Sequence, residues 1–429
     1  MKFVLLQRCL TFTFICSLIG IGFFSSSGTM ILEKSNVLIF SCDTLHVGGS
    51  GPGNYTKIQD AINDANPGDI VFVYNGTYCE IIDIDKSLNL IGEKRYNTVI
   101  NAEEKGTAVV ISADSVLINN FTICNTGIGL KYFDNADIRI HSNKNIIQNI
   151  NCIDTNYGML FQNSDENIII NNYINAYWDG ISLDDSENNF LRNNSMYGSG
   201  LLAYEKHDID TSNTVNDKPI YYYYMKRGLT VPEDAGQVIL INCSNFIVEN
   251  LKITGTTLGI SIFNSDCNII RNNIVENNTD FGIILNNSNY NLIIENNVSN
   301  NPFGIALSAG GLELYEINSN CKYNTISKNN IMNNIGFGLG IVRSNFNTIS
   351  ENNFINNTAH TQIVRSKHNR FDSNFWDDWI GIKIPFIKKC PRYIPIFFML
   401  KMGGSFKFIY VPTGFTLDLH PTRQPVPMI

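Results

Sequence analysis

Carboxylates beside aromatic rings are the side-chain combination that grips sugars, because the rings cover an apolar face while the acids take hydroxyls. One stretch of this chain concentrates them. Tyr177, Trp178 and Asp179 are followed by Asp184 and Asp185, and about 20 residues later by Tyr204, Glu205, Lys206, His207 and Asp208. If Gly180 stacks on Gly200, Ile181 and Leu183 lie over Leu201 and Ala203, and Asp185 sits beside Glu205 at a strand spacing of about 4.8 Å. If instead Asn172 stacks on Asn194, Asp185 stacks on His207. Two carboxylates that close raise one pKa and could serve as acid and nucleophile of a retaining glycosidase. The catalytic candidates are therefore Asp184, Asp185, Glu205 and His207, and the ligand-binding candidates are Tyr177, Trp178, Asp179 and Lys206. A solvated turn with ordinary surface charge is the competing reading, and the residue types alone favour it.

No second chemistry emerges from the remaining residues. The histidines His46, His141, His207, His360, His368 and His420 form no HxH or HxxxH pair and no Met-rich run accompanies them. The cysteines beyond residue 27 are scattered without CxxC spacing, so no metal site and no cofactor are expected, and buried thiols are as consistent with them as disulfides. Tyr157, Phe281, Phe303 and Phe337 each precede a glycine in a repeated pattern. They are expected to stack on one another rather than to bind a ligand.

The elements that position these residues follow from composition and periodicity. The chain has 429 residues, a net charge of -8, 16% charged residues and 44% hydrophobic residues. That hydrophobic share excludes a disordered chain, and the acidic balance argues against a nucleic-acid binder. About 60 residues are Asn and about 60 are Ile, a pairing that calls for many strands joined by turns.

The repeat is explicit in the second half. NIIRNNIVENNTDFGIILNNSNY begins at Asn268, and the pattern returns from Asn291, Asn324 and Asn347 with a unit of about 23 residues. One Asn per unit serves as marker: Asn120, Asn149, Asn172, Asn194, Asn250, Asn273, Asn296, Asn329, Asn352 and Asn374. A Gly recurs in phase at Gly129, Gly158, Gly180, Gly259, Gly282, Gly304 and Gly338, where it is expected to allow a turn of positive φ. Aliphatics alternate with polar residues within each unit, the period of a half-buried strand. Three short strands and three turns per unit make one rung of a right-handed parallel β-helix, an all-β solenoid of about ten rungs over residues 44–375. Buried Asn amides at the turns are expected to bond the same amide on neighbouring rungs.

The ends need covers. Residues 55–65, YTKIQDAINDA, place Ile58, Ala61, Ile62 and Ala65 on one helical face and read as an N-terminal cap. Residues 206–237 read as an insertion that interrupts the solenoid, with alternate rings of Tyr221–Tyr224 facing opposite sides. Residues 376–429 read as an irregular plug rich in Trp and Pro, including Trp376, Trp379, Pro385, Pro391 and Pro395. Residues 1–27 read as an export signal: Lys2 and Arg8, an apolar run from Cys9 to Phe24, then small residues. Sequons such as those at Asn54, Asn75, Asn242 and Asn297 fit an exported surface glycoprotein.

The opening YTKIQDAINDANPGDIVFVYNGTYCE, the Asn/Ile repeats and the block DTSNTVNDKPIYYYY at Asp210–Tyr224 resemble the exported NosD-type β-helix proteins of pectin-lyase-like fold, over roughly residues 44–380. That resemblance implies a periplasmic role in copper-centre assembly for some members, and carbohydrate binding or sugar hydrolysis for the wider fold. Copper needs soft or imidazole ligands in a cluster, which this chain does not spell out. The GHG and RIK motifs of polygalacturonase-like enzymes are absent too. The expectation is an exported, non-catalytic monomer in the extracellular space, at the cell surface or in the periplasm. It would bind or display polysaccharide, with a cell-envelope partner, while a polysaccharide-active enzyme and a copper-assembly accessory protein remain the alternatives.

Overall fold

The computed structural model describes residues 42–127, 135–308, 320–378, 392–401, 408–422 and 424–427; the expected export signal lies outside them. The chain forms an all-β, right-handed parallel solenoid of about 14 turns, more than the ten expected. The marker count misses the first rungs, where Thr44–Val47, Ile70–Val73 and Asn89–Gly92 stack in parallel through Val73, Leu90 and their neighbours. Val and Leu fill those rungs, so their pairing leaves no repeated polar signature.

In the later rungs each three-residue strand of the second sheet contributes one inward apolar residue. Ile253, Val275, Val298, Ile331, Phe354 and Trp376 form one such buried column, carried by the strands Lys252–Thr254, Ile274–Glu276, Asn297–Ser299, Asn330–Met332, Asn353–Ile355 and Phe375–Trp376. Burying each such side chain contributes roughly 1.5–3 kcal/mol.

The abundance of asparagine has two causes, visible in the repeated Asn–Asn doublets. The first member sits in the left-handed region, as at Asn272, Asn277, Asn300, Asn333 and Asn356, a conformation Asn tolerates better than other side chains with a Cβ. The second is buried in a ladder: Nδ2 of Asn273 donates to Oδ1 of Asn296 at 2.9 Å, Asn296 to Asn329 at 3.0 Å, Asn329 to Asn352 at 2.9 Å and Asn352 to Asn374 at 3.0 Å. Each Oδ1 also accepts the backbone N–H of the ladder residue one rung before, as Asn296 does from Asn273 at 3.0 Å. Parallel ladders run through Asn268–Asn291–Asn324–Asn347–Asn369 and Asn278–Asn301–Asn334–Asn357. Three expected markers are displaced by one residue. Asn120, Asn149 and Asn250 are left-handed turn residues, and Ile150 and Leu251 hold the ladder positions beside the latter two, their N–H groups bonding Asn172 and Asn273.

The repeated glycines serve space rather than backbone conformation. None of Gly158, Gly180, Gly259, Gly282, Gly304 and Gly338 has positive φ, while Gly129 lies outside the described residues. A Cβ on Gly282 would stand 2.7 Å from Val298 Cγ1 and 2.9 Å from the Gly304 oxygen. At either end of this column a polar side chain takes the place of glycine. Ala136 and Ile138 pair with Tyr157 and Met159, which sets Asp137 opposite Gly158, and Ala359 and Thr361 pair with Phe337 and Leu339, which sets His360 opposite Gly338.

The N-terminal cap is the helix Ile58–Asp64, with Ile58, Ala61 and Ile62 buried. The segment expected as an insertion is instead built into the stack. Ile209 pairs with Leu191 and Val215 with Met196, a hairpin reverses the chain, and Lys218–Tyr224 runs parallel to Gln237–Ile241. Tyr222 and Tyr224 pack on one buried cluster and Tyr221 and Tyr223 on the other, so the tyrosine strand fills a seam. At the C-terminal end Arg392–Lys401 and Phe408–Asp418 form an antiparallel pair that extends the stack, with Ile396 beside Ile363. This part of the expected plug is therefore regular; Trp379, Pro385 and Pro391 lie outside the described residues.

Candidate functional site

The strand Tyr173–Asp184 separates the expected site into two halves. Trp178 and Asp184 are six residues apart along it, roughly 20 Å at the rise of a strand, too far to share one sugar ring. Ile181 and Leu183 pair with Leu201 and Ala203. That register leaves Asp184, Asp185, Glu187 and Glu205 around one turn. Burial and then Asp185 raise the pKa of Asp184, and burial followed by the charges of Glu187 and Asp185 raises that of Glu205. Asp185, Glu205 and Lys206 are exposed, so this end is a solvated acidic turn.

His207 belongs to the interior. It ends the ladder Asn145–Asn167–Asn189, its Nδ1 accepting the Asn189 backbone N–H at 3.3 Å in place of an Asn oxygen. Burial pushes its pKa down to about 4, which keeps the ring neutral and Nδ1 able to accept. A buried ladder terminus of this kind does not serve as a catalytic base.

The other half of the site gains a partner that the sequence did not single out. Asp179 takes a place in the column where Tyr157, Phe281, Phe303 and Phe337 put rings. Tyr157 pairs with Asp179, whereas Phe281, Phe303 and Phe337 stack with centroids 4.8 and 4.6 Å apart. The column is thus interrupted by Asp179, Gly200 and Leu258. Across this break the main chain at Trp178 straps two later turns, its carbonyl accepting hydrogen bonds from Thr257 Oγ1 at 2.9 Å and Thr279 Oγ1 at 3.1 Å. Asp179 follows Trp178 in sequence and Asp280 follows Thr279, and the charge of Asp179 acts on Asp280. Asp179 is 7% exposed and burial raises its pKa to about 7, with Thr257 opposing the shift. Asp280 is half-buried, and burial followed by the charge of Asp179 raises its pKa to about 8. Trp178 is half-buried against Ala136, Tyr157 and Leu160. Tyr177 is exposed and meets its ring edge-on at 5.1 Å.

A second cluster joins His360, Asp377 and Asp378, at a distance in sequence that hides it. His360 Nε2 lies 2.8 Å from Asp377 and 3.4 Å from Asp378. Copper does not fit this group. Oδ1 of Asn357 is engaged by Asn334, so the Asn357 Nδ2 faces His360 Nδ1 at 3.3 Å and places the imidazole proton on Nε2, toward Asp377. Asp378 is held by Arg392, and among the described residues no thiolate or thioether joins the set. The cluster instead ties the strand at Arg392 to the last rungs, where Trp376 stacks on Phe354 at 4.3 Å.

Stacked rings also form an exposed ridge that the sequence reading missed: Tyr290, Tyr323, Phe346 and His368, with centroids 5.1, 5.5 and 5.1 Å apart. All four have positive φ, and their fixed place immediately before the ladder residues Asn291, Asn324, Asn347 and Asn369 is the signal that could have shown them. Because each ring covers its neighbour's face, the ridge presents edges to solvent.

Residues 226–381 match the family model described as periplasmic copper-binding protein (NosD). A cell surface glycoprotein of Methanothermus fervidus is 33% identical over 160 residues, 35% of this chain and 26% of that protein, so the chain spans about a quarter of that relative's length. Among solved structures, a PL6 alginate lyase in complex with a trisaccharide is 11% identical over 88% of this chain and 92% of its own, with a TM-score of 0.36. The catalytic domain of a GH87 α-1,3-glucanase in complex with nigerose is 14% identical over 82% and 71%, with a TM-score of 0.38. Over residues 226–381 the chain is thus similar to the NosD family, and the stacked rungs with their Asn ladders make the described residues a parallel β-helix.

Proposed function

We propose that this chain is an exported cell-surface protein whose β-helix binds polysaccharide without cleaving it, at the break in the aromatic column around Trp178. The observation that carries this reading is the run Tyr177–Trp178–Asp179, whose rings meet edge-on and whose main chain is bonded to Thr279, next to Asp280: flat apolar surface beside hydrogen-bonding acids. The surface-glycoprotein relative and the periplasmic family description support an exported location.

Catalysis by a carboxylate pair depends on environments that push two pKa values apart, leaving one acid protonated and one ionised. At Asp179 and Asp280 burial pushes both upward, which suits hydrogen bonding to hydroxyls and gives no ready nucleophile. A glycan array combined with product analysis tests the proposal. Binding that is weakened by Trp178→Ala, with chain lengths unchanged, is the expected result. Shortened products, or binding indifferent to both Trp178→Ala and Asp179→Asn, would overturn it.

A further inference from the structure

Nine Asn-x-Ser/Thr sequons run through the chain, and by sequence they have equal standing as acceptors of an N-linked oligosaccharide. The rungs divide them. In Asn193-Asn194-Ser195, Asn277-Asn278-Thr279 and Asn356-Asn357-Thr358 the acceptor is the first member of an Asn–Asn doublet, exposed and left-handed, with φ of 54°, 55° and 50°. The second member gives its amide to a ladder, which leaves the preceding amide on the outside. Asn242, in Asn242-Cys243-Ser244, is likewise exposed, with a φ of 53°. Asn277 also has space beside it, because Gly255, whose N–H donates to the Asn277 carbonyl at 3.2 Å, holds that place one rung earlier without a side chain.

The same letters fail elsewhere. Asn286-Asn287-Ser288 is out of phase with the rung: Asn287 is the exposed left-handed residue, and the acceptor Asn286 ends the strand Phe281–Asn286 at 6% exposure. Asn297 lies in the strand Asn297–Ser299, half-buried, with Ile274 and Asn330 as its partners on the two flanking rungs. A sugar on either amide would have to part rungs that stand about 4.8 Å from one another.

We propose that Asn193, Asn242, Asn277 and Asn356 are N-glycan acceptor sites and that Asn286 and Asn297 stay bare. The donor is an oligosaccharide carried on a lipid phosphate. The acceptor Nδ2 forms a bond to the anomeric carbon, the bond from that carbon to the phosphate oxygen breaks, the lipid phosphate leaves with the electron pair, and a base takes one amide proton. Transfer occurs on the extended chain, so closure of the rungs is the filter: a chain modified at Asn286 or Asn297 does not close. The inference rests on the exported location proposed above and is independent of polysaccharide binding at Trp178.

The test is peptide mapping by mass spectrometry of the full chain, secreted from a eukaryotic cell behind that cell's own export signal, with and without a peptide N-glycosidase that converts glycosylated Asn to Asp. Expected in the cooperatively melting product is a glycan at each of the four turn positions and none at Asn286 or Asn297. Asn193→Gly, Asn242→Gly, Asn277→Gly and Asn356→Gly suit the left-handed backbone; each should remove one glycan and move the melting temperature by no more than a few degrees. Bare asparagine at two or more of the four, or a glycan at Asn286 or Asn297 in the folded protein, overturns the proposal. The supplied signal keeps this result separate from the chain's own location, which fractionation of the native cell decides. Asn277→Gly leaves Trp178 and Thr279 in place, so the glycan array reads polysaccharide binding separately.

Discussion

Thr279 donates its hydroxyl to the carbonyl oxygen of Trp178 at 3.1 Å, and Thr257 donates to the same oxygen at 2.9 Å. These two bonds hold the Tyr177–Trp178 turn over the break in the aromatic column. Each contributes about 1 kcal/mol. Replacing both by Val keeps the shape and removes the donors. Amide exchange at residues 175–179 is expected to accelerate several-fold, with the ladders elsewhere unchanged. Unaltered exchange in the double variant would show that packing of Trp178 alone holds the strap.

The Asp179–Asp280 pair makes stability depend on pH. Both folded pKa values, about 7 and about 8, stand above the ordinary 3.8. Between roughly pH 4 and pH 8 the folded chain therefore holds protons that the unfolded chain has released, and stability falls as pH rises through that window. The loss is expected to be on the order of a few kcal/mol, and Asp179→Asn should remove much of it. Urea denaturation at pH 5 and pH 9 checks the difference, and an equal slope in wild type and variant would count against the pairing.

The two members of an Asn–Asn doublet should respond differently to substitution. Asn300 is exposed with a φ of 56°, so Asn300→Gly is expected to change stability by less than about 1 kcal/mol. Asn301 accepts both the backbone N–H and the Nδ2 of Asn278, at 3.1 and 3.0 Å. Asn301→Ala leaves these buried donors unpaired and should cost roughly 2–4 kcal/mol. Equal effects in thermal denaturation would contradict the division of roles.

His207 should tolerate an acceptor and nothing else. His207→Asn keeps an oxygen for the Asn189 N–H, whereas His207→Ala strands that donor at a cost of about 1–3 kcal/mol. The folded pKa of about 4 lies below the ordinary 6.5. The contribution of the neutral ring is therefore fully present above 6.5 and lost as pH falls toward 4. Wild type and His207→Asn should diverge in melting temperature across that range, and parallel curves would refute the assignment.

The solenoid was legible because its rungs repeat polar residues as well as apolar ones: Asn273, Asn296, Asn329 and Asn352 announce a period that Ile alone would have left ambiguous. The first rungs were not legible, since Val71 and Leu90 stack without a polar marker. For the site, Trp178 and Asp179 stood out by type, but Asp280 sits in an ordinary NTDFG unit, and its role depends on a strap that crosses intervening turns. His360, Asp377 and Asp378 were equally hidden, because their meeting depends on how a polar side chain enters the column that glycine keeps clear elsewhere.

The ladder that ends at Asn374 has a direction. Every amide in it turns its oxygen toward the N-terminal end and its NH2 toward the C-terminal end, so their dipoles add along the axis, much as peptide dipoles do in a helix. The positive end of that sum falls on Asn374, whose N–H and Nδ2 meet the carboxylate of Asp418 at 3.1 and 3.0 Å, joined there by Trp376 Nε1 at 2.9 Å. Asp418 is wholly buried, and it is the anion on which this polarised column terminates. Whole rungs can be added or lost within the column without disturbing either end, whereas removal of Asp418 exposes three donors and the field behind them.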